Sequence, residues 1–254
     1  MKKSIVKTIL MLMVINLVFV TAAIAQTPAP ASAPAKGGSV IENIAIVIFG
    51  SGLVKWFKNG GWAMWPILFV TLYALAYIIW KFIALMYGKI RIDTFIDTIV
   101  PLVKQKKYKE AEEYAKKTRG PVAAIIYAGL QKIDKGVEGF EKAMENAAMI
   151  EMSFLEKGFT EMSAGITLAP MLGFLGTVAG MITAFEAIAA ARAVDATIVA
   201  DGIRIALITT EFGLCVAIPV QFFNNIFVTM VDGIVIDMQR ASEAVTEALV
   251  ESMA

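Results

Sequence analysis

The sequence predicts an all-α membrane protein: three transmembrane helices, with long helices that extend from the membrane into the cytoplasm. Three observations carry that expectation. Apolar residues make up 58% of the 254 positions, and they gather into blocks long enough to cross a bilayer. Polar residues gather too, into one stretch of helical periodicity between the first two blocks and another after the last. Basic residues fall on one side: thirteen Lys/Arg lie from Lys89 to Lys157, whereas residues 189–202 carry Arg192 alone. The positive-inside rule then places the large polar loop and the C-terminus in the cytoplasm.

Residues 1–25 read as a cleaved signal peptide. Lys2, Lys3 and Lys7 precede an apolar run from Ile9 to Ala22, and Ala23-Ile24-Ala25 fits the small-x-small cleavage rule, so the mature chain would begin at Gln26. The rival reading is an uncleaved first span. A cleaved signal puts the mature N-terminus outside, in agreement with the charge argument. Residues 26–39 are rich in Pro, Ala, Ser and Gly and predict an extended periplasmic tether. In 40–58, the apolar stretch Ile44–Val54 is too short to cross a bilayer and suits an amphipathic helix lying on the membrane surface.

The first transmembrane helix is expected within 59–87. Trp62 and Trp65 mark one end, and Trp80, Lys81 and Tyr87 the other. Trp62 to Trp80 is 18 residue steps, about 27 Å at helical rise, so the tryptophans read as two interfacial belts. Residues 88–160 are polar and helical. Glutamates and lysines interleave from Lys104 to Arg119 at spacings that suit solvated helix faces. Gly120-Pro121 breaks that helix, and a second long helix follows towards Phe159, open to interruption near Gly136. The second span is expected in 161–190, a periplasmic link in 191–201, the third span in 202–230 and a cytoplasmic C-terminal helix in 231–254.

Composition removes several function classes. Net charge is +1, which gives no basic field for nucleic acid. The chain has no histidine, which removes Ser-His and Cys-His catalysis and His-ligated metal. Its one cysteine, Cys215, lies in an apolar run and reads as a buried structural thiol. No cofactor and no metal is expected.

The second and third spans are unusual for lipid-facing helices. Gly165, Ala169, Gly173, Thr177, Gly180 and Ala184 form one small-residue stripe, with a GxxxG at Gly176 and Gly180; Gly202, Ala206, Thr210, Gly213 and Ala217 form another. Such stripes let helix backbones approach closely. Pro170 and Pro219 sit inside the two spans and should kink them unless neighbours compensate. Thr177 and Thr210 lie at broadly similar depth counted from the outer link. Either each hydroxyl bonds its own helix, or both line one cavity. Glu211 is the costliest residue, roughly 2.5–3.5 kcal/mol near mid-bilayer. It marks a proton path or makes a hydrogen bond across a subunit interface. Because a single copy would expose it to lipid, the chain is expected to form a homo-oligomer that closes through the small-residue faces, with room left there for a partner helix.

LAPMLGFLGTVAGMITAF (168–185) and IALITTEFGLCVAIPVQFFNN (205–225) closely resemble the MotA/TolQ/ExbB proton-channel family, as do GGWAMWPIL (60–68) and YKEAEEYAKK (108–117). The resemblance covers roughly Gly60 to Thr229 and is nearer to the ExbB and TolQ branch, whose members have three spans and the N-terminus outside. It implies a homopentamer, a ring whose second and third spans enclose a lumen. Within that lumen would sit the transmembrane helices of an ExbD- or TolR-type one-span partner with an intramembrane aspartate. Proton flow would then drive motion passed to a TonB- or TolA-type protein. The family's channel threonines fall on Thr177 and Thr210. Some ExbB proteins carry a glutamate six residues before the place of Glu211; that position is Ile205 here, so the glutamate's role does not transfer. The expected function is that of a non-enzymatic proton-channel subunit energising TonB-dependent transport. Alternatives are a TolQ-like role in envelope integrity, another dedicated motor such as one for gliding, and a passive membrane scaffold.

Overall fold

A computed structural model of the chain describes residues 57, 59–88, 91–191 and 196–253. The expected signal peptide and tether, nearly all of the interfacial segment and part of the periplasmic link lie outside the described residues. All regular structure among the described residues is helical, in seven α-helices: α1 (Met64–Gly88), α2 (Ile92–Lys104), α3 (Tyr108–Lys117), α4 (Pro121–Leu130), α5 (Gly136–Glu156), α6 (Phe159–Ala191) and α7 (Ala196–Met253). Three stretches are long and apolar enough to cross a membrane: Met64–Met86, the one ending in α6 at Ala191, and that within α7 from Val199. The helices divide into two compact units.

One unit comprises the described residues up to Ala74 together with Ala164–Gln221. Here the first span presents Met64, Ile67 and Ala74 inward, at helical spacing. Small residues bring the helices close: a Cβ on Gly165 would lie 3.0 Å from the Cβ of Ala74. Large apolar side chains point the other way, with Phe69, Met171, Phe174, Leu207 and Ile218 more than half exposed on the single chain. A protein surface this apolar is suited to lipid or to another protein. Pro170 and Pro219 lie inside α6 and α7, and both helices run unbroken past them.

The other unit comprises Leu75–Ser163 and Phe222–Ala254. Its core is built from amphipathic helices. Phe95, Ile99 and Val103 of α2 and Ala111 and Ala115 of α3 are buried, with the Phe95 and Tyr114 rings stacked at 5.7 Å. Gly120, at φ +123°, turns the chain into Pro121, the first residue of the almost wholly buried α4. A 3-10 turn at Ile133–Lys135 and Gly136 at φ +77° separate α4 from α5. The charged stretch starting at Lys104 is not one helix: Lys106 takes a left-handed φ of +58°, which ends α2 and restarts the chain as α3. Buried residues in the second half of α7 alternate at four and three (Phe227, Val231, Ile234, Met238, Ala241, Val245), a heptad seam. The third span and the C-terminal segment are thus one 58-residue helix. Its far end is fastened by Lys104 Nζ to Glu251 at 2.5 Å and by a Tyr108–Ser252 hydroxyl pair at 3.1 Å.

Candidate functional site

The candidate site lies along the seam between α6 and α7 within the unit that holds Ala164–Gln221, and the small residues create it. A Cβ on Gly173 would lie 2.9 Å from the carbonyl oxygen of Thr209 and 3.1 Å from the Cα of Thr210. One on Gly180 would lie 3.0 Å from the Gly202 carbonyl oxygen, and 3.1 Å from the Ala206 nitrogen. One on Gly213 would lie 2.6 Å from the Ala169 oxygen. The two stripes therefore meet each other within one chain, backbone against backbone, with Ala206 buried in the same seam and Ala217 buried one turn beyond Gly213 on α7. The expectation that these faces close the oligomer and leave room for a partner helix needs correcting. They are already filled by the chain's own second and third spans, and the faces left open are those bearing large apolar side chains.

Thr210 is half-buried at the edge of this seam, and its hydroxyl donates across the helix pair to the carbonyl oxygen of Gly173 at 3.3 Å. Gly173 stands one turn before Thr177 on α6, so the cross-helix bond brings Thr210 to within about a turn of Thr177 along that helix. Thr177 is also half-buried, and its hydroxyl donates to the Phe174 carbonyl at 2.6 Å. Each hydroxyl proton is held by a backbone carbonyl, which leaves the oxygen's lone pairs free to accept from a water or a partner. Glu211, the next residue, is half-buried, and its carboxylate makes no ion pair or hydrogen bond among the described residues. Cys215, one turn further, is half-buried rather than buried.

Two residues emerge that the sequence reading passed over. Thr209 is fully buried, donates to the Ala206 carbonyl at 2.8 Å and fills the notch left by Gly176, whose Cβ would lie 2.6 Å from that of Thr209. The signal was present in the doublet Thr209-Thr210: adjacent helical residues point about 100° apart, so one faces the seam while the other reaches its edge. In the other unit, Lys81 is 2% exposed and donates to the carbonyls of Leu155 and Lys157, the latter at 2.8 Å. Trp80 beside it is 44% exposed, as an interfacial residue would be. Lys81 was read with it as part of that belt, and no sequence signal marks it as buried.

Three helices are thus long and apolar enough to cross a membrane, and the last two pack through glycine with Thr177, Thr210 and Glu211 along their seam. The model of the MotA/TolQ/ExbB proton channel family matches residues 117–240. The ExbB-like 3 biopolymer transport protein of Synechocystis is 28% identical over 170 residues, which cover 66% of this chain and 81% of the relative. The biopolymer transport protein ExbB of Pseudomonas putida is 28% identical over 156 residues, 58% of this chain and 47% of the relative. The Tol-Pal system protein TolQ of Haemophilus influenzae is 35% identical over 89 residues, 35% of this chain and 39% of the relative. Residues 117–240, which hold both span motifs, are thus similar to the MotA/TolQ/ExbB proton channel family, with ExbB and TolQ proteins among the relatives.

Proposed function

We propose that the chain is the proton-channel subunit of an ExbB–ExbD-type motor in the bacterial inner membrane, which uses the proton motive force to energise TonB-dependent outer-membrane transport. In this reading five copies form a ring. The N-terminus is periplasmic, and the α2–α5 region and the C-terminus are cytoplasmic, a reading supported by the thirteen basic residues from Lys89 to Lys157. A one-span ExbD- or TolR-type partner contributes the intramembrane aspartate, and a TonB- or TolA-type protein receives the motion.

The observation that carries the proposal is the Thr210–Gly173 hydrogen bond beside Thr177, within the stretch that matches the family. It sets the Thr210 hydroxyl about one turn from Thr177 along α6, at the edge of a tightly packed seam. With its proton held by a carbonyl, each hydroxyl oxygen can accept from water, so the two threonines can order water next to a partner carboxylate without placing charge in a low-dielectric space. Glu211 adds an acid within the same turn of α7 as Thr210. The large apolar faces of α6 and α7 are the surfaces for subunit contact and for the partner helix.

A TolQ-like role is the second reading, favoured by the 35% identity to the Haemophilus protein over 89 residues. Both readings are tested by deleting the gene and restoring it as wild type, Thr177→Val or Thr210→Val. The TonB reading expects loss of energised uptake in the deletion strain, rescued by wild type and by neither valine variant. Loss of detergent resistance with uptake intact would transfer the role to envelope integrity.

A further inference from the structure

The break between α5 and α6 is gripped by the first span. Helix α5 ends at Glu156, Lys157 is extended (φ −55°, ψ 131°), Gly158 turns at φ +95°, and α6 starts at Phe159. A helix end of this kind leaves carbonyls without partners. Lys81 of α1, 74 residues earlier, supplies them: its ammonium donates to Leu155 O in the last turn of α5 and, at 2.8 Å, to Lys157 O in the break. The same Nζ stands 4.1 Å from the ring centroid of Phe159. One buried cation thus touches the end of α5, the break and the start of α6. It also meets the negative end of the α5 dipole, with Glu156 and Glu161 adding negative charge nearby. Gly158 seals the joint, because a Cβ there would lie 3.0 Å from the Trp80 ring.

We propose that Lys81 is a positioning residue of the motor: it locks the inner end of the first span to the α5–α6 elbow, so that α1 and the elbow move as one body when the lumen works. This rests on the motor reading above. A buried ammonium is an unusual choice for a merely structural contact, since burying an unpaired charge is strongly unfavourable and an apolar side chain would pack more simply. What the ammonium adds is a grip on three chain segments through direction-specific bonds to backbone. The bonds to Leu155 and Lys157 are to carbonyls, so they do not depend on which side chains those positions carry.

The test uses the full-length chain with its one-span partner. Lys81→Met removes the bonds and keeps the stem; Lys81→Arg keeps a donor able to reach two carbonyls. Lys81→Met is expected to assemble, by native mass spectrometry, and to lose energised activity by about tenfold or more, the scale set by losing bonds from a charged donor. Lys81→Arg should recover most of it. Full activity in assembled Lys81→Met overturns the proposal. A second measurement stands even where Lys81→Met fails to assemble. Spin labels at Ala84 and Glu156, in a Cys215→Ala background with Lys81 intact, report the α1-to-elbow distance in proteoliposomes with and without a proton gradient. An unchanged distance is expected, and a change of about 5 Å, one helical turn, overturns the joint. A wild-type chain that supports no proton-driven activity would sink the motor reading instead, while the label distances would still decide whether α1 and the elbow are locked.

Discussion

Gly213→Ala is the sharpest perturbation of the seam that carries the site. The added Cβ would lie 2.6 Å from the Ala169 carbonyl oxygen and 3.3 Å from the Cα of Gly173. Both are backbone atoms, so relief requires the helices to separate rather than a side chain to turn. Going from 2.6 Å to an ordinary contact of 3.4 Å opens the seam by about 0.8 Å, enough to forfeit a quarter to a half of each dispersion contact along it. The Thr210–Gly173 bond, already at 3.3 Å, passes out of hydrogen-bond range with the same opening. Overpacking of this kind costs about 1–3 kcal/mol. Gly233→Ala is the control, because nothing lies within 4 Å of the added Cβ; there the better helix propensity of alanine gains about 0.5–1 kcal/mol. Reversible unfolding by SDS titration in mixed micelles, followed by circular dichroism, should move the two variants in opposite directions. A Gly213→Ala chain as stable as wild type would refute the backbone-to-backbone seam.

Glu211→Gln separates the two roles open to that acid. Retained assembly with lost activity favours a proton role, whereas a ring that no longer forms in native mass spectrometry favours an interface bond. In α3, Lys117 bonds Glu113 at 2.6 Å and holds its carboxyl below the usual glutamate range. The stabilisation is therefore present above the ordinary glutamate pKa and is lost as pH falls through the lowered value. An NMR pH titration should show Glu113 moving back up in Lys117→Met; an unmoved Glu113 would discount the pair.

Much of this was legible in the sequence, and the reasons for the rest are physical. The apolar blocks bounded by Trp62 and Trp80, and those holding the two motifs, mark three spans because the bilayer imposes length and composition together. The motifs themselves led to the family. Which surface a small-residue stripe meets is not encoded in its period, so the Gly173 and Gly213 stripes read equally well as subunit contacts until their contact within one chain is seen. The stretch from Asp232 reads as a helix continuing from the third span, and the heptad from Phe227 to Val245 carries α7 through Gly233 without a break, since packing in the second unit outweighs one glycine. Lys81 was hidden for a topological reason: its partners are backbone carbonyls 74 and 76 residues away, and no side-chain pattern announces them.

The central claim, that Thr177 and Thr210 serve a proton path, is tested most directly by proton flux. The chain and its one-span partner are placed in liposomes with a pH-sensitive dye inside, and an inward proton gradient is imposed. Wild type should acidify the interior, and a partner lacking its intramembrane carboxylate should not. Thr177→Val and Thr210→Val, assembled to the same extent, should each lower the flux by about tenfold or more, the scale of one lost hydrogen bond to a charged group. Undiminished flux in both valine variants would contradict the account and leave the α6–α7 seam as a packing surface.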